Sequence, residues 1–358
     1  MVSVPDAVEW VQGGIGGFAL GTLPSVQVGG GLETDGRKVS GNMRLHVMVI
    51  DPQWDFSWPG LGHFFKLDSP EWKAVEPFLK VALGPMLNLL IQPGKLYVPG
   101  AWEAMERLAT MIDRLRDKID DLTVTLDSHQ IVDQAHPIWF KDMSGARVTA
   151  FTILDLVGQS IQSLDPAKGF APTGKEYTTT IPHLLDHEGV TGEGSRGYFK
   201  ALKARGREKH VIWPVHTEIG ALGSMIVPSV MAALQRWQET FATVNFETKG
   251  SNMFTEHYGA VEAEVPDPKD NSTQVRSSII KTMEEADIVA WGGIASTHCL
   301  PTTFNGVVEH VPEAYVQKMT LLTDATAGVP GFEFLYDKFL AEMQPKGMKL
   351  STTTDFFA

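Results

Sequence analysis

Three residues of this chain have the types that nucleophilic amide chemistry needs. Cys299 is the only cysteine among 358 residues, so it is a buried filler, an inert surface residue or a reactive thiol. Asp51 and Lys249, like Cys299, stand just past a strand-like apolar run. A nearby cation lowers the pKa of a thiol, and a carboxylate can take the thiol proton and later pass it to a leaving amine. The three side chains together therefore fit a thiol hydrolase.

A second group of residues has the composition of a metal site. Asp127 and His129 are two residues apart at the end of a strand-like run, so they point the same way. His136 follows one short loop later, and His216 lies at a later strand end, in the segment Trp213-Pro214-Val215-His216. One carboxylate and three imidazoles suit Zn²⁺, Fe²⁺ or Mn²⁺ and leave room for water or substrate. We therefore predict one divalent metal ion.

The apolar pattern predicts an α/β fold in which strands and helices alternate. Residues 44–50 form a nearly continuous apolar run that is typical of a buried parallel strand. Residues 101–119 carry an apolar stripe with helical spacing. Further strand-like runs lie at 122–126, 211–213, 243–247, 288–291 and 316–323, and helices are predicted at 70–91, 226–240, 273–287 and 332–343. This alternation indicates a parallel sheet covered on both faces, with its strand ends converging on one crevice.

The predicted organisation is one large domain with additions. Residues 1–43 are glycine-rich and are interpreted as an N-terminal extension of loops and short strands. The domain itself spans 44–358, with insertions at about 60–92 and 141–208. The second insertion is rich in Gly, Thr, Lys and Asp, and we predict a loop-rich surface excursion or lid.

Composition restricts the partners. The net charge of −13 argues against an anionic polymer, so no nucleic acid is expected. No stretch approaches the roughly 20 apolar residues of a membrane span. Residues 1–11 contain Asp6 and Glu9 and no basic cluster, which is unlike a secretory signal. A single cysteine fits a reducing compartment, so we expect a cytoplasmic protein. The acidic net charge is easier to reconcile with a small neutral or cationic ligand.

Five blocks of the sequence, between residues 44 and 345, together resemble the nicotinamidase branch of the isochorismatase-like cysteine hydrolases. They occur in the family's order: 49–56, 94–101, 127–136, 213–220, and Lys249-Gly250 with 295–299. Departures are Pro52 and Trp54 around Gln53, and Thr217 where many relatives have cysteine. The resemblance implies a three-layer α/β/α, Rossmann-like fold with a central parallel sheet.

The resemblance also implies roles for individual residues. Cys299 would be the nucleophile, Asp51 the general base and acid, and Lys249 the supporting cation. The Ile294–Ala295 peptide would be cis, and the N–H groups of Ala295 and Cys299 would form an oxyanion hole. The remaining roles are metal binding by Asp127, His129, His136 and His216, and a sandwich of the substrate ring by Phe56 and Trp213.

The activity implied is hydrolysis of nicotinamide to nicotinate and ammonia through a cysteine thioester. This reaction is the entry to NAD salvage. The resemblance also implies that the enzyme is a homo-oligomer. One alternative is a related cysteine hydrolase acting on another small amide, a carbamoyl compound or a vinyl ether; such relatives generally lack the metal residues. Others are a non-catalytic scaffold of the same fold and a metal-only hydrolase in which Cys299 is incidental. Taken singly, Asp51 could cap a helix, Lys249 could be a solvated charge, and Phe56 and Trp213 could be core aromatics.

Overall fold

A computed structural model of the chain describes residues 43–180, 191 and 193–358. The predicted N-terminal extension therefore lies outside the described residues, except for Met43. The described residues divide into two compact units, one formed by 44–59 with those from 93 onward, the other by Met43 with 60–92.

The secondary structure alternates as predicted. The strands are β1 Leu45–Ile50, β2 Ile119–Asp127, β3 Phe140–Asp142, β4 Ile153–Val157, β5 Ser160–Asp165, β6 Ala171–Thr179, β7 His210–Val211, β8 Asn245–Lys249, β9 Ile288–Ile294, β10 Met319–Ala327 and β11 Lys349–Ser351. The helices are α1 Trp54–Ser57, α2 Pro70–Leu83, α3 Met86–Ile91, α4 Ala101–Arg114, α5 Gly194–Ala204, α6 Pro228–Gln238, α7 Ser277–Glu285, α8 Cys299–Val308 and α9 Glu333–Met343.

Six strands form a central parallel sheet in the order β11-β10-β9-β1-β2-β8. All six residues of β1 are buried, as its continuous apolar run predicts. The chain proceeds from β1 to β2 and β8 on one side and then crosses to β9 on the other. The crevice of such a sheet lies at this change of direction, beyond the carboxyl ends of the strands.

Helices cover both faces of the sheet. Consecutive residues of a strand point to opposite faces. On β9, a Cβ at Gly292 would meet Leu108 of α4 at 3.3 Å, whereas the neighbouring Trp291 packs its ring against Phe304 of α8. Because α4 and α8 lie on opposite faces, the predicted three-layer fold with a central parallel sheet is confirmed.

Residues 140–211 contain a second sheet that the sequence pattern did not predict. Its strands follow the order β3-β6-β5-β4-β7, and all neighbouring pairs are antiparallel. Together with α5 it buries an aromatic and aliphatic core that includes Trp139, Phe140, Leu154, Tyr198, Phe199 and Ile212. The prediction of a loop-rich excursion over 141–208 is therefore wrong. Most of β6 is exposed on both sides, so the alternation that marks a half-buried strand is missing there.

The antiparallel sheet also changes the assignment of the run 211–213. This run was expected to end a strand of the parallel sheet, but β7 pairs with β4 instead. Ile212 continues that pairing, since its N–H donates to Thr152 O at 2.9 Å. Consequently Trp213 and His216 reach the crevice from the antiparallel sheet.

Two predicted helices have different ends in the structure. The helix predicted at 101–119 stops at Arg114, although Leu115 and Ile119 are both buried; the apolar spacing continues through the turn into β2. In the other unit, Ser69 caps α2 by accepting a hydrogen bond from Trp72 N at 3.1 Å. The predicted helix 70–91 is divided there into α2 and α3 at Gly84, whose φ of 53° ends the first helix.

Candidate active site

Four adjacent strands bring the predicted reacting residues to one edge of the parallel sheet. Lys249 ends β8, Asp127 ends β2, Asp51 follows β1, and Cys299 follows β9 and begins α8. Asp127 and Lys249 are the last register partners of the β2–β8 pair. The strand order β9-β1-β2-β8 thus places side by side four residues that are remote in sequence.

Lys249 joins the other three residues. Its Nζ lies 3.0 Å from Asp51 Oδ2, 2.9 Å from Asp127 Oδ1 and 3.7 Å from Cys299 Sγ. Only 2 % of Lys249 is exposed, and lysine is almost never fully buried unless it is paired. Since two carboxylates pair with it, Lys249 is a buried cation between acids and not a solvated surface charge.

The charge states follow from these contacts. Burial alone would lower the pKa of Lys249, but the attraction of Asp127 and Asp51 outweighs burial and raises it well above its usual value. Burial raises the pKa of Asp51, and Lys249 offsets only part of that rise. Burial would also raise the pKa of Asp127, but His129 and Lys249 lower it well below its usual range. Asp127 is therefore the fixed anion, and Asp51 is the carboxylate better suited to bind a proton.

The thiol of Cys299 is not ionised in advance. Burial raises its pKa well above the usual value; Lys249 opposes this rise, whereas Asp51 and Asp127 add to it. The expected lowering by the cation is present but is outweighed. A thiolate at this position would therefore need a nearby base to remove the proton.

Asp51 is held rigidly beside Lys249. Its N–H donates to Thr125 Oγ1 at 3.0 Å, and the same hydroxyl donates to Asp51 Oδ1 at 2.5 Å. Its φ of 43° lies in the left-handed region, which is uncommon outside glycine. The helix that follows is capped at Gln53, so Asp51 is not a helix cap.

Asp127, His129 and His216 form a buried cluster that could hold a metal ion, with one ligand atom of each within 4.8 Å of the others. Asp127 Oδ2 lies 3.1 Å from His129 Nε2 and 3.2 Å from His216 Nε2. The other ring nitrogens have separate partners: His129 Nδ1 lies 3.0 Å from Asp133 Oδ2, and His216 Nδ1 lies 2.8 Å from Pro214 O. Metal-binding histidines typically donate their second N–H to a carboxylate or carbonyl in this way. The cluster therefore fits a divalent cation.

Two neighbours position this cluster. The side-chain amide of Gln53 accepts from Asp127 N and donates to Asp127 O, both at 2.7 Å. Gly250 has a φ of 84°, and a Cβ there would lie 2.9 Å from His129 Cε1 and 3.0 Å from Asp127 Oδ1. Only glycine therefore fits at position 250 without displacing the cluster.

His136, the fourth predicted ligand, lies beside the three-residue cluster but is not part of it. Its Nδ1 lies 3.0 Å from Gln130 O, and its Nε2 lies 3.4 Å from His216 Nδ1. Burial lowers the pKa of His136 to about 4, so the ring is neutral at pH 7. The structure brings His136 to the site, and its role as a ligand stays a prediction.

A small cavity opens onto these residues. Cys299, Lys249, Asp127 and His216 lie on its wall. Phe56 and Trp213, the predicted ring-binding pair, also line it. The rest of the lining is largely apolar or aromatic and includes Leu96, Val98, Tyr258, His298 and Val329. The cavity therefore combines a thiol, a cation and metal-binding side chains with walls that suit a flat ring.

The predicted oxyanion donors also lie at this cavity. The Ile294–Ala295 peptide is cis, as the resemblance implies. Of the described residues, none accepts a hydrogen bond from the N–H of Ala295 or of Cys299. Both donors are therefore available to an oxygen atom next to the sulfur.

Sequence reasoning missed several residues of this site. Asp133 orients His129, Gln53 holds Asp127, and Asp55 Oδ2 accepts from Thr217 N at 2.8 Å beside His216. Glu256 and Tyr258 line the cavity, and Tyr258 OH accepts from Trp213 Nε1 at 3.0 Å. Gln53 and Asp55 stand within the 49–56 block, so their position next to Asp51 was a usable signal. Glu256 lies in a loop without a recognisable pattern.

Comparison of the sequence with known protein families and with curated proteins gave no match. Among solved structures, the chain is similar to the yeast nicotinamidase bound to the inhibitor nicotinaldehyde, with 14 % identity, 86 % of this chain and 99 % of that chain covered, and a TM-score of 0.49. It is also similar to an Acinetobacter baumanii nicotinamidase/pyrazinamidase, with 14 % identity, coverage of 88 % and 100 %, and a TM-score of 0.47.

A third similar structure is the zinc complex of the Pyrococcus horikoshii pyrazinamidase, with 14 % identity, coverage of 86 % and 99 %, and a TM-score of 0.40. These proteins are of the class that the sequence blocks resemble. None of the helices described here is long and apolar enough to cross a membrane.

Proposed function

We propose that this protein is a metal-containing cysteine amidohydrolase whose substrate is nicotinamide. The observation that carries the proposal is the position of Lys249, whose Nζ lies within 3.0 Å of two carboxylates and 3.7 Å from Cys299 Sγ at the wall of one cavity. A buried acid, cation and thiol at the converging ends of parallel strands suit acyl transfer.

The first half of the reaction forms a thioester. Asp51 takes the proton of the Cys299 thiol, and the sulfur attacks the carboxamide carbon. The carbonyl oxygen becomes negative and accepts hydrogen bonds from the free N–H groups of Ala295 and Cys299. Asp51 then passes its proton to the nitrogen, the C–N bond breaks, and ammonia leaves. The raised pKa of Asp51 makes this carboxylate a stronger base, which favours the transfer of the thiol proton to it.

The second half uses water. Asp51 removes a proton from a water molecule, which attacks the thioester carbon. The C–S bond breaks, the sulfur recovers a proton, and the carboxylic acid is released. The net change is amide plus water to acid plus ammonia. Lys249 stays protonated throughout and prevents the repulsion that Asp51 and Asp127 would otherwise exert on each other.

Asp127, His129 and His216 would hold the metal, with His136 as the predicted fourth ligand. A divalent ion bound there would supply a Lewis acid for a ring nitrogen of the substrate. Phe56 and Trp213, on the cavity wall, would cover the ring. The cluster of metal-binding side chains supports a nicotinamidase. The related hydrolases of carbamoyl or vinyl-ether compounds share the Asp–Lys–Cys group but generally lack these ligands.

Ammonia release from nicotinamide by the purified protein tests the proposal, with Cys299→Ala measured beside it and bound metal determined on both. We expect release by the wild type, loss to background in the variant, and one equivalent of metal in each. Equal activity of the two proteins would contradict the thioester route and favour a metal-only hydrolase. No release by metal-loaded, folded wild type would rule out nicotinamide as the substrate.

A further inference from the structure

A series of aromatic rings leads from the cavity wall to the protein surface, and the mechanism above does not use its outer members. Trp213 lies on the cavity wall, and its ring centroid is 5.9 Å from that of Phe332. The Phe332 ring stacks on that of Phe334 with centroids 6.4 Å apart, and Phe334 lies 5.8 Å from Phe170. These separations are in the range of interacting aromatic pairs. Trp213, Phe332, Phe334 and Phe170 together form one aromatic row.

The aromatic row is joined to the wall of the cavity by further ring contacts. His298 lines the cavity, and its ring centroid lies 4.9 Å from that of Phe332 and 5.0 Å from that of Trp213. Phe151 meets Trp213 edge to face, with centroids 6.1 Å apart and ring planes at 87°. The apolar wall of the cavity therefore continues into the row without a break.

Exposure rises along the row from the cavity outward. Trp213 is 3 % exposed, Phe332 and Phe170 are half-buried, and Phe334 is 46 % exposed. Single exposed apolar side chains are ordinary in soluble proteins, but contiguous apolar surface often marks a ligand-binding groove. A flat apolar group lying over the outer rings would remove from water a surface that the folded chain leaves partly exposed.

Two of the phenylalanines near the cavity have an unusual backbone conformation. The φ angles of Phe151 and Phe170 are 64° and 62°, in the left-handed region that bulky residues rarely adopt. Each is held by its N–H, which donates to Ile212 O at 2.5 Å and to Asp165 O at 2.9 Å, respectively. Conformations of this kind persist only where the surrounding structure enforces them, and they are common at ligand-binding positions. The antiparallel sheet region thus places both rings in fixed positions.

We propose that the aromatic row is a second binding subsite, which takes a planar aromatic group carried by the amide substrate. The carboxamide would lie at Cys299, and the aromatic group would lie over Phe334 and Phe170. Aromatic groups pair favourably with rings, which is the chemistry that the row offers. The site would then accept amides larger than nicotinamide. This inference rests on the proposed function, since it takes the cavity as the place where the amide binds.

Binding to a catalytically inactive protein tests the subsite separately from catalysis. In a Cys299→Ala background, calorimetry gives the dissociation constants of three amides: nicotinamide, nicotinamide with a phenyl group on the ring carbon para to the carboxamide, and N-benzylnicotinamide. The phenyl group is carried by the acyl part in the second amide and by the amine in the third. We expect at least one of these two to bind about tenfold more tightly than nicotinamide.

Phe334→Ser and Phe170→Asn each remove one ring of the row in the same background. Asparagine tolerates the left-handed conformation that Phe170 adopts. Phe241→Asn is the matched control, because Phe241 has a φ of 66° and is fully exposed beyond the end of α6. We expect the gain from the phenyl group to fall to about twofold in both row variants and to stay about tenfold in the control.

The outcomes separate a subsite from a purely structural role. A gain with the ring-substituted amide would place the acyl part on the row, and a gain with the benzyl amide would place the amine there. Equal binding of all three amides, or a gain that survives both row variants, would overturn the inference. An equal loss of affinity for nicotinamide and for the extended amide would also overturn it, because the rings would then only support the cavity wall. If Phe170→Asn does not fold, the half-exposed Phe334 decides the matter alone.

Ammonia release from nicotinamide by the otherwise wild-type protein distinguishes failure of this inference from failure of the proposed function. If nicotinamide is not hydrolysed but the gain depends on the aromatic row, only the proposed function fails. If nicotinamide is hydrolysed and the gain is absent, only this inference fails. No binding of any of the three amides to the folded, metal-loaded protein would overturn both.

Discussion

The edge of the parallel sheet and the core of the antiparallel sheet are both buried, but different forces hold them. At the parallel edge, Lys249 lies between Asp51 and Asp127 at hydrogen-bond distance. The antiparallel sheet instead buries aromatic and aliphatic side chains such as Phe140 and Phe199. The first region is held by charges that compensate one another, and the second by apolar burial.

This difference separates chemistry from positioning. The parallel edge carries the groups that are proposed to react, and removing a charged one leaves a buried charge without its partner. The antiparallel sheet leads through Ile212 of its core to Trp213 on the cavity wall. Substitutions in the first region should therefore affect the chemical step and the pH response, and those in the second should affect stability and substrate binding.

The largest effect is expected for Lys249→Met. Removing the cation leaves Asp51 and Asp127 buried and facing one another, which should lower the free energy of unfolding by about 3–5 kcal/mol and abolish turnover. Chemical denaturation and ammonia release measure the two effects. Lys281→Met is the control, because that side chain is 76 % exposed and should change stability by less than about 0.5 kcal/mol. A stable, active Lys249→Met protein would contradict the charge-compensated description of this edge.

Phe199→Ala should produce a comparable loss of stability without touching a reacting group. Phe199 is fully buried in the antiparallel core, and its truncation should cost about 3–5 kcal/mol. Under conditions where the variant stays folded, KM for nicotinamide should rise more than kcat falls, because the core that holds Ile212, next to Trp213 in the chain, is weakened. Phe241→Ala, at a fully exposed position, is the control. If Phe199→Ala lowers kcat with KM unchanged, the antiparallel sheet contributes directly to the chemical step.

Gly250→Ala and Gly331→Ala form a matched pair. Both glycines have a left-handed φ, 84° and 86°, so alanine should cost about 1–2 kcal/mol at each. A Cβ at Gly250 would also press on His129 and Asp127, whereas none of the described atoms lies within 4 Å of one at Gly331. We expect Zn²⁺ affinity, measured by competition with a chelator, to fall at least tenfold for Gly250→Ala and to stay unchanged for Gly331→Ala. Equal affinities would show that the cluster tolerates the displacement.

Glu256 should make stability depend on pH. The pKa of this group is about 8 in the folded protein against an ordinary value of 4.5. Between these values the folded state binds more protons than the unfolded state, so this group lowers the free energy of unfolding as pH rises, by up to about 1.4 kcal/mol per unit. Glu256→Gln should therefore gain stability relative to wild type from pH 5 to 8 in urea titrations. Parallel pH curves would show that Glu256 keeps an ordinary pKa.

Much of the parallel region could be predicted because its signals are local. Asp51, Asp127 and Lys249 stand at or just beyond the ends of apolar runs, and strand ends of a parallel sheet converge whatever the intervening chain does. The spacing of Asp127 and His129 likewise follows from strand geometry. The antiparallel sheet could not be predicted, because β6 is exposed on both sides and β7 has only two residues.

The sequence by itself determined the α/β alternation, the residues that end the parallel strands and the chemistry those residue types allow. Only the tertiary structure decided that Lys249 touches Asp51, Asp127 and Cys299 at once, that His136 lies beside the cluster of three, and that Glu256 reaches the cavity. It also decided the charge states, since the thiol of Cys299 keeps its proton despite the adjacent cation. The physical reason is that burial and charge act through space, between residues that the order of the chain does not bring together.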